Sequence, residues 1–244
     1  MSKYAITVKD LHISYRTLKG FSIKKSLLKL KMSKTEIFEA VRGVSFNVEK
    51  GKILGIIGKN GSGKSTLLRS IAGIFSPDTG TIDLHGNSIS LLSIGVGFQN
   101  KLSGYENIYL SGMLLGFSKQ QIDEKIDDII QFSELGKFIY KPVSSYSSGM
   151  YSKLAFSITA ILETDIMLID EVFSVGDVKF KQKSYNKMKE LISDENRTVV
   201  IVSHSLGTLK ELCDEILWLH DGKIKQIGNP NEVVDAYEEF MKND

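Results

Sequence analysis

Apolar and polar residues alternate over Ala5–Val8 and again over Val44–Val48, the period-two pattern of strands with one face on a core. At Ile53–Ile57 the pattern becomes an unbroken apolar run, and Ile166–Ile169 and Val199–Val202 repeat it. Continuous runs of this length suit strands covered on both faces. Between them, Lys64–Ala72, Asn107–Phe132, Lys153–Leu162 and Lys179–Ile192 read as helices. Gly222 separates two short strand-like runs, Ile216–Leu219 and Lys223–Ile227, which predicts a hairpin, and Asn231–Lys242 reads as a short surface helix. Strands alternating with helices in this way predict an α/β domain whose sheet is mostly parallel, with helices on its faces.

Composition narrows the setting without naming an activity. A chain of 244 residues with 42% hydrophobic and 25% charged residues can bury a sizeable core as one domain. The longest uncharged run, Leu84 to Asn100, is broken by Gly, Ser and Asn and does not suit a bilayer span. The opening residues MSKYAITVKD lack an apolar signal core. The single cysteine, Cys213, excludes an internal disulfide and fits a reducing compartment, so a cytoplasmic location is expected. The net charge of +2 is unevenly distributed. Seven basic residues and no acid lie between Arg16 and Lys34, leaving the remainder net acidic. Positive charge this local argues against a broad nucleic-acid face.

Directly after Ile53–Ile57 comes Gly58-Lys59-Asn60-Gly61-Ser62-Gly63-Lys64-Ser65-Thr66, followed by a helix. This is the P-loop pattern in its strand–loop–helix setting. Its glycines let backbone N–H groups turn inward around phosphate oxygens, and the positive end of the helix adds to that field. Lys64 is then expected to reach the β- and γ-phosphates and Ser65 to hold Mg²⁺. P-loops also serve GTPases, small-molecule kinases and motor ATPases, so residues downstream must decide.

The run Ile166–Ile169 ends in Asp170-Glu171. A buried strand would deliver Asp170 to the Mg²⁺ shell, with Glu171 one residue on, where a base polarises water for attack on the γ-phosphate. Tyr146-Ser147-Ser148-Gly149-Met150 stands before a helix and one helix ahead of that acidic strand. It resembles the signature of the ABC ATPase family, LSGGQ in most members. Ser147 and Gly149 match, while Tyr146, Ser148 and Met150 replace Leu, Gly and Gln. Such a cluster by itself describes a helix cap. Its position raises it, and a serine hydroxyl beside N–H groups at a helix start suits a γ-phosphate.

The resemblance implies further roles. His204, after Val199–Val202, is similar to the family's switch histidine, which contacts the γ-phosphate. Ser174-Val175-Gly176-Asp177 resembles the D-loop, with Asp177 facing the partner subunit. Tyr15 lies where the family stacks an aromatic ring on adenine. Phe98-Gln99 reads as the end of a strand, which makes Gln99 the glutamine that touches Mg²⁺ and senses the membrane partner. Only six residues separate it from Glu106-Asn107, a shorter loop than most relatives have. From Tyr15 to about Gly228 the order of motifs identifies the chain as a member of the ABC ATPase family. That membership implies a P-loop NTPase α/β fold: a mostly parallel core, an antiparallel β lobe, and a helical lobe carrying the signature. One nucleotide-binding domain over 1–244 is expected, with a helical lobe at about 100–163 and a basic insertion at about 16–39.

Three features resemble exporters of lipid-linked polysaccharides such as O-antigen and teichoic acid. They are the insertion itself, the run Leu91–Phe98 leading to Ser103-Gly104-Tyr105-Glu106-Asn107-Ile108, and Phe138-Ile139-Tyr140-Lys141-Pro142-Val143 ahead of the signature. A C-terminal glycan-binding domain, found in some members, is not expected in a chain ending at Asp244. In the insertion Ile23, Leu27 and Leu30 share one helical face, with Lys24, Lys25, Lys29 and Lys31 around it. This describes either a solvated amphipathic helix or a contact with anionic lipid head groups or the membrane subunit.

The implied mechanism is a homodimer closing head to tail around two ATP molecules. Separately encoded integral-membrane subunits would turn that closure into transport, with the chain peripheral on the cytoplasmic face of the inner membrane. Rival readings are an importer subunit, a soluble ABC ATPase acting on ribosomes or DNA, and a non-catalytic nucleotide sensor. The soluble ATPases usually carry two cassettes or a long coiled coil, and a sensor could dispense with Glu171.

Overall fold

A six-stranded sheet and a three-stranded sheet face each other across one core in the computed structural model, which describes residues 2–18, 35–92, 97–170, 177–194 and 196–243. Chain order is β1 (Tyr4–Leu18), β2 (Thr35–Glu49), β3 (Ile53–Ile57), α1 (Lys64–Ile71), β4 (Thr79–Asp83) and β5 (Ile89–Leu92). Then follow α2 (Gly104–Leu114), α3 (Lys119–Ser133), two short 3₁₀ turns (Gly136–Tyr140 and Val143–Ser145) and α4 (Ser148–Ile161). The chain closes with β6 (Ile166–Asp170), α5 (Val178–Ile192), β7 (Thr198–Val202), α6 (Leu206–Leu212), β8 (Glu215–His220), β9 (Lys223–Gly228) and α7 (Pro230–Asn243).

The larger sheet runs β5-β6-β7-β3-β8-β9, parallel except for β9, which turns back on β8 through the hairpin at Gly222. Strands β6 and β7 are buried throughout apart from Asp170, as their continuous apolar runs predict. The antiparallel sheet, order β2-β1-β4, covers one face together with α1. On the other face α4, α5, α6 and α7 supply Phe156, Phe180, Leu209 and Val233 to a second core. Helices α2 to α4 keep a third core of their own, built on Ile108, Ile122, Ile129 and Leu154.

Several expected boundaries are corrected. The strands expected at 5–8 and 44–48 belong to strands of 15 residues each, paired as far as Leu18↔Thr35. The ends of the basic insertion are therefore ladder residues, and its remainder, with Ile23 to Lys31, lies outside the described residues. The single helix expected over 107–132 is two. A Schellman pair ends α2, with Phe117 N–H donating to Gly112 O and Gly116 N–H to Met113 O, both at 3.0 Å. A Ser118–Gln121 capping box then opens α3. Helix α4 begins at Ser148 rather than Lys153 because Ser147 caps it. The short elements β4, β5 and α6 carry too little periodicity to stand out in sequence.

Gly55 lies on β3 where Cys213 and Ile216 press closest. A Cβ there would stand 2.9 Å from Cys213 Sγ and 3.1 Å from Ile216 Cγ1. Gly55→Ala should therefore cost roughly 1–3 kcal/mol, the usual price of overpacking, seen as a lower urea midpoint at unchanged slope. Adding Cys213→Ala should return most of that loss, and a double variant no more stable than Gly55→Ala would put the strain elsewhere.

Candidate functional site

Strand β3 lies inside the sheet, between β7 and β8, and the loop 58–63 leaves its carboxyl end for α1. The loop needs glycine at two points. Gly58 has φ +151° and Gly63 has φ +102°; a Cβ would stand 2.1 Å from Leu219 O at the first and 2.2 Å from Ala40 O at the second. Inside the loop, the buried Lys64 ammonium donates to Gly58 O at 2.7 Å and Lys59 O at 3.0 Å. Burial pulls this lysine below its ordinary pKa range, and Asp170 partly restores it. The first turn of α1 holds no acidic residue, so its positive end is uncompensated, and the buried Ser62 Oγ has no hydrogen-bond partner. A cradle with a buried cation and an open helix end fits an anionic phosphate group.

Sheet register brings the other chemistry to the same edge. Asp170, last in β6, pairs with Val202, last in β7, and Val202 pairs with Ile56 on β3. Ligand sites of open α/β sheets lie at such carboxyl ends. Ser65 Oγ reaches Asp170 Oδ1 at 3.3 Å. A hydroxyl and a carboxylate side by side are hard oxygen donors of the kind Mg²⁺ takes, with water completing its shell. His204, just beyond β7, lines one cleft with Asn60, Gly61, Gly63, Lys64, Ser65 and Thr66. Phe38 of β2, an aromatic ring 49% exposed, lines the same cleft. Phe38 pairs with Tyr15 across the β1–β2 ladder. Tyr15 meets Thr66 Oγ1 through its hydroxyl at 3.1 Å and turns its ring edge to Phe75. Sequence alone drew attention to Tyr15; only the ladder register reveals Phe38 beside it.

Ser147, Gly149 and Asp177 line a different cleft, with Glu134, Leu135, Phe138, Met150 and Lys153, and it shares no lining residue with the P-loop cleft. Ser147 Oγ accepts from Met150 N–H at 3.2 Å, so the hydroxyl caps α4 and keeps its own proton to donate. Asp177 caps α5 through Phe180 N–H at 3.0 Å and takes a 2.7 Å bond from Lys153 Nζ. The lysine hydrogen bond, with the Phe180 N–H second, pushes the Asp177 carboxyl down to about 2. Lys153 also lies 3.9 Å from Glu134, which Lys183 holds at 3.0 Å. The ion pair thus ties the start of α4 to that of α5; Lys153 carries no motif signal of its own.

Gln99 is not the end of a strand. Strand β5 ends at Leu92, and Gln99 is an exposed residue in the turn before α2, its backbone N–H held by Asn107 Oδ1 at 2.8 Å. Glu171 and 174–176 of the D-loop lie outside the described residues.

A sequence model described as ABC transporter matches residues 41–174. The chain is 41% identical to the O-antigen export system ATP-binding protein RfbB of Myxococcus xanthus, covering 97% of this chain and 56% of that protein. It is 46% identical to the teichoic acids export ATP-binding protein TagH of Bacillus anthracis, covering 85% and 37%, and 43% identical to TagH of Levilactobacillus brevis, covering 99% and 66%. The chain thus spans between about a third and two thirds of the length of these curated relatives. Among solved structures, an ATP-binding subunit of an ABC transporter superposes with a TM-score of 0.72 at 22% identity, covering 96% of this chain and 93% of its own. A dimeric ATP-binding cassette bound to ADP and Pi superposes with a TM-score of 0.69 at 21% identity, covering 92% and 98%. Sequence and fold agree on one assignment: this chain belongs to the ABC transporter family.

Proposed function

We propose that the chain hydrolyses ATP as one half of a head-to-tail homodimer and thereby powers export of a lipid-linked polysaccharide through separately encoded membrane subunits. The observation that carries this reading is the division of its chemistry between two clefts, the P-loop in one and Ser147, Gly149 and Asp177 in the other. Neither cleft is a whole site. A second copy, turned head to tail, completes each with the half it lacks.

In the completed site Lys64 exchanges its contacts with Gly58 O and Lys59 O for phosphate oxygens, which relieves the desolvation of its ammonium. Ser65 and Asp170 would hold Mg²⁺, which neutralises phosphate charge when bound. Glu171 takes a proton from the attacking water, and His204 steadies the γ-phosphate. Ser147 and the N–H groups at the start of α4 meet the partner's γ-phosphate, so its loss on hydrolysis removes the contacts that hold the pair closed. Phe38 and Tyr15 flank the position of adenine. Gln99, exposed in its turn, suits a contact with the membrane subunit better than a standing metal bond. Polysaccharide export rests on the O-antigen and teichoic acid exporters among the relatives. Such a subunit works at the cytoplasmic face of the membrane, and no helix among the described residues is long and apolar enough to cross it. The basic segment between Arg16 and Lys34 is drawn to the anionic membrane surface.

Three measurements test the reading. Glu171→Gln should keep ATP binding and lower turnover by about 10²–10⁴-fold, the loss expected for a general base, and in cells lipid-linked polymer should stay on the cytoplasmic leaflet. Near-normal turnover removes Glu171 from this role. Phe38→Ala should weaken ATP binding about tenfold, as loss of a stacking partner does, and Tyr15→Phe far less. A larger loss in Tyr15→Ala than in Phe38→Ala gives the adenine to Tyr15. Finally, Lys64→Ala and Ser147→Arg should each be inactive alone. Mixed with subunit exchange, they should regain ATPase activity, because one of the two sites in a mixed dimer then carries no lesion. Activity that stays at the level of the separate variants, with exchange verified by differently tagged subunits, overturns the shared site.

A further inference from the structure

The first position of the signature is Tyr146, where most of the family has leucine. Its ring packs into the core of the helical lobe, which a leucine would also fill. Packing alone therefore does not account for the hydroxyl. That hydroxyl donates to Phe138 O at 2.8 Å, inside the 3₁₀ turn before the signature. Gly104 at the head of α2 lies against the same oxygen, since a Cβ there would stand 2.2 Å from it, while its N–H donates to Lys141 O at 3.3 Å. One phenol oxygen thus bonds the turn before the signature and sits against the first residue of α2.

The segment it joins is rigid by other means. Asn107, fully buried, accepts from Gln99 N–H at 2.8 Å and donates to Gln99 O at 3.2 Å and Ser103 O at 2.8 Å. The chain ahead of the signature is laddered to this turn, Val143 N–H donating to Leu102 O and Ser144 N–H to Asn100 O, both at 2.9 Å. Phe98 packs its ring on Tyr151 of α4, with centroids 4.9 Å apart. The ladder stops at Ser144. From there to Ser147 the chain is exposed apart from half-buried Tyr146, whose hydroxyl bonds Phe138 O and rests against Gly104 at the head of α2.

We infer that Tyr146 is a positioning residue: its hydroxyl fixes the backbone at Ser147 to the Gln99 turn, so that displacement of that turn is delivered to the serine that meets the partner's phosphate. The inference rests on the shared-site reading above. Without the hydroxyl, Phe138 O keeps only the Lys141 N–H, at 2.8 Å, and Tyr146 loses both its bond to the 3₁₀ turn and its contact with the head of α2. The serine then samples orientations unproductive for the partner's ATP, while the chain's own P-loop cleft, which Tyr146 does not line, is unaffected.

The test uses the full chain carrying Glu171→Gln, so that ATP-dependent dimers accumulate. Tyr146→Phe keeps the ring and removes only the oxygen. ATP-dependent dimerisation, followed by light scattering, should weaken about three- to tenfold, the net contribution of one hydrogen bond. Binding of a fluorescent ATP analogue to dilute monomer should stay within about twofold, since bonds made only in the closed pair do not enter it. Gly104→Ala, which drives a methyl into the hydroxyl, should weaken dimerisation in the same way. Combined with Tyr146→Phe it should add less than its separate effect, as residues in contact do. Unchanged dimerisation in Tyr146→Phe overturns the inference, and so does an equal loss in monomer nucleotide affinity, which marks a general structural role. If Glu171→Gln alone fails to dimerise with ATP, the shared-site reading falls and this inference with it.

Discussion

The site is organised around one unfavourable placement, a lysine ammonium buried among main-chain carbonyls. Among the described residues no carboxylate is in hydrogen-bond contact with Lys64; Gly58 O and Lys59 O hold it, and burial works against its charge. Main-chain carbonyls carry partial charge, whereas a phosphate carries full charge at the same position. The cradle is therefore stabilised by what it binds. Its glycines and its helix start without acidic residues suit that charge.

A second constraint sets how the chemistry is divided. Ser147 and Asp177 are both helix caps, and each side chain already has a local hydrogen bond. Lys153 joins the starts of α4 and α5 through Asp177. The signature side is thus a preassembled face whose geometry does not wait for nucleotide. The P-loop side is preassembled too, by backbone alone. On the shared-site proposal, two preformed clefts on one chain leave association as the step that completes either of them.

The helical lobe links these halves to what lies outside them. It has a core of its own and is joined to the second core on the large sheet through Phe156 of α4, so it forms one body packed on that sheet. The Gln99 turn, the head of α2 and the segment leading to Ser147 are bonded into that body. A push on the exposed turn therefore has a short covalent and hydrogen-bonded route to the signature serine.

Much of this was legible in the sequence, and unevenly. The long apolar runs fixed β3, β6 and β7, because a strand buried on both faces has no freedom to be polar. The P-loop and Asp170 were equally clear, because their chemistry depends on residues adjacent in the chain. What depended on partners distant in sequence was not readable. The extent of β1 and β2 is set by their pairing, the break between α2 and α3 by a Schellman turn and a capping box, and the place of Gln99 by Asn107. Phe38 becomes a wall of the cleft only through its register with Tyr15, and Lys153 becomes part of the signature face only when α5 brings Asp177 to it. Sequence by itself determined the fold class and the phosphate cradle, since periodicity and backbone chemistry are local. Tertiary structure alone decided which side chains share a cleft, since that follows from how strands pair and helices pack across the chain.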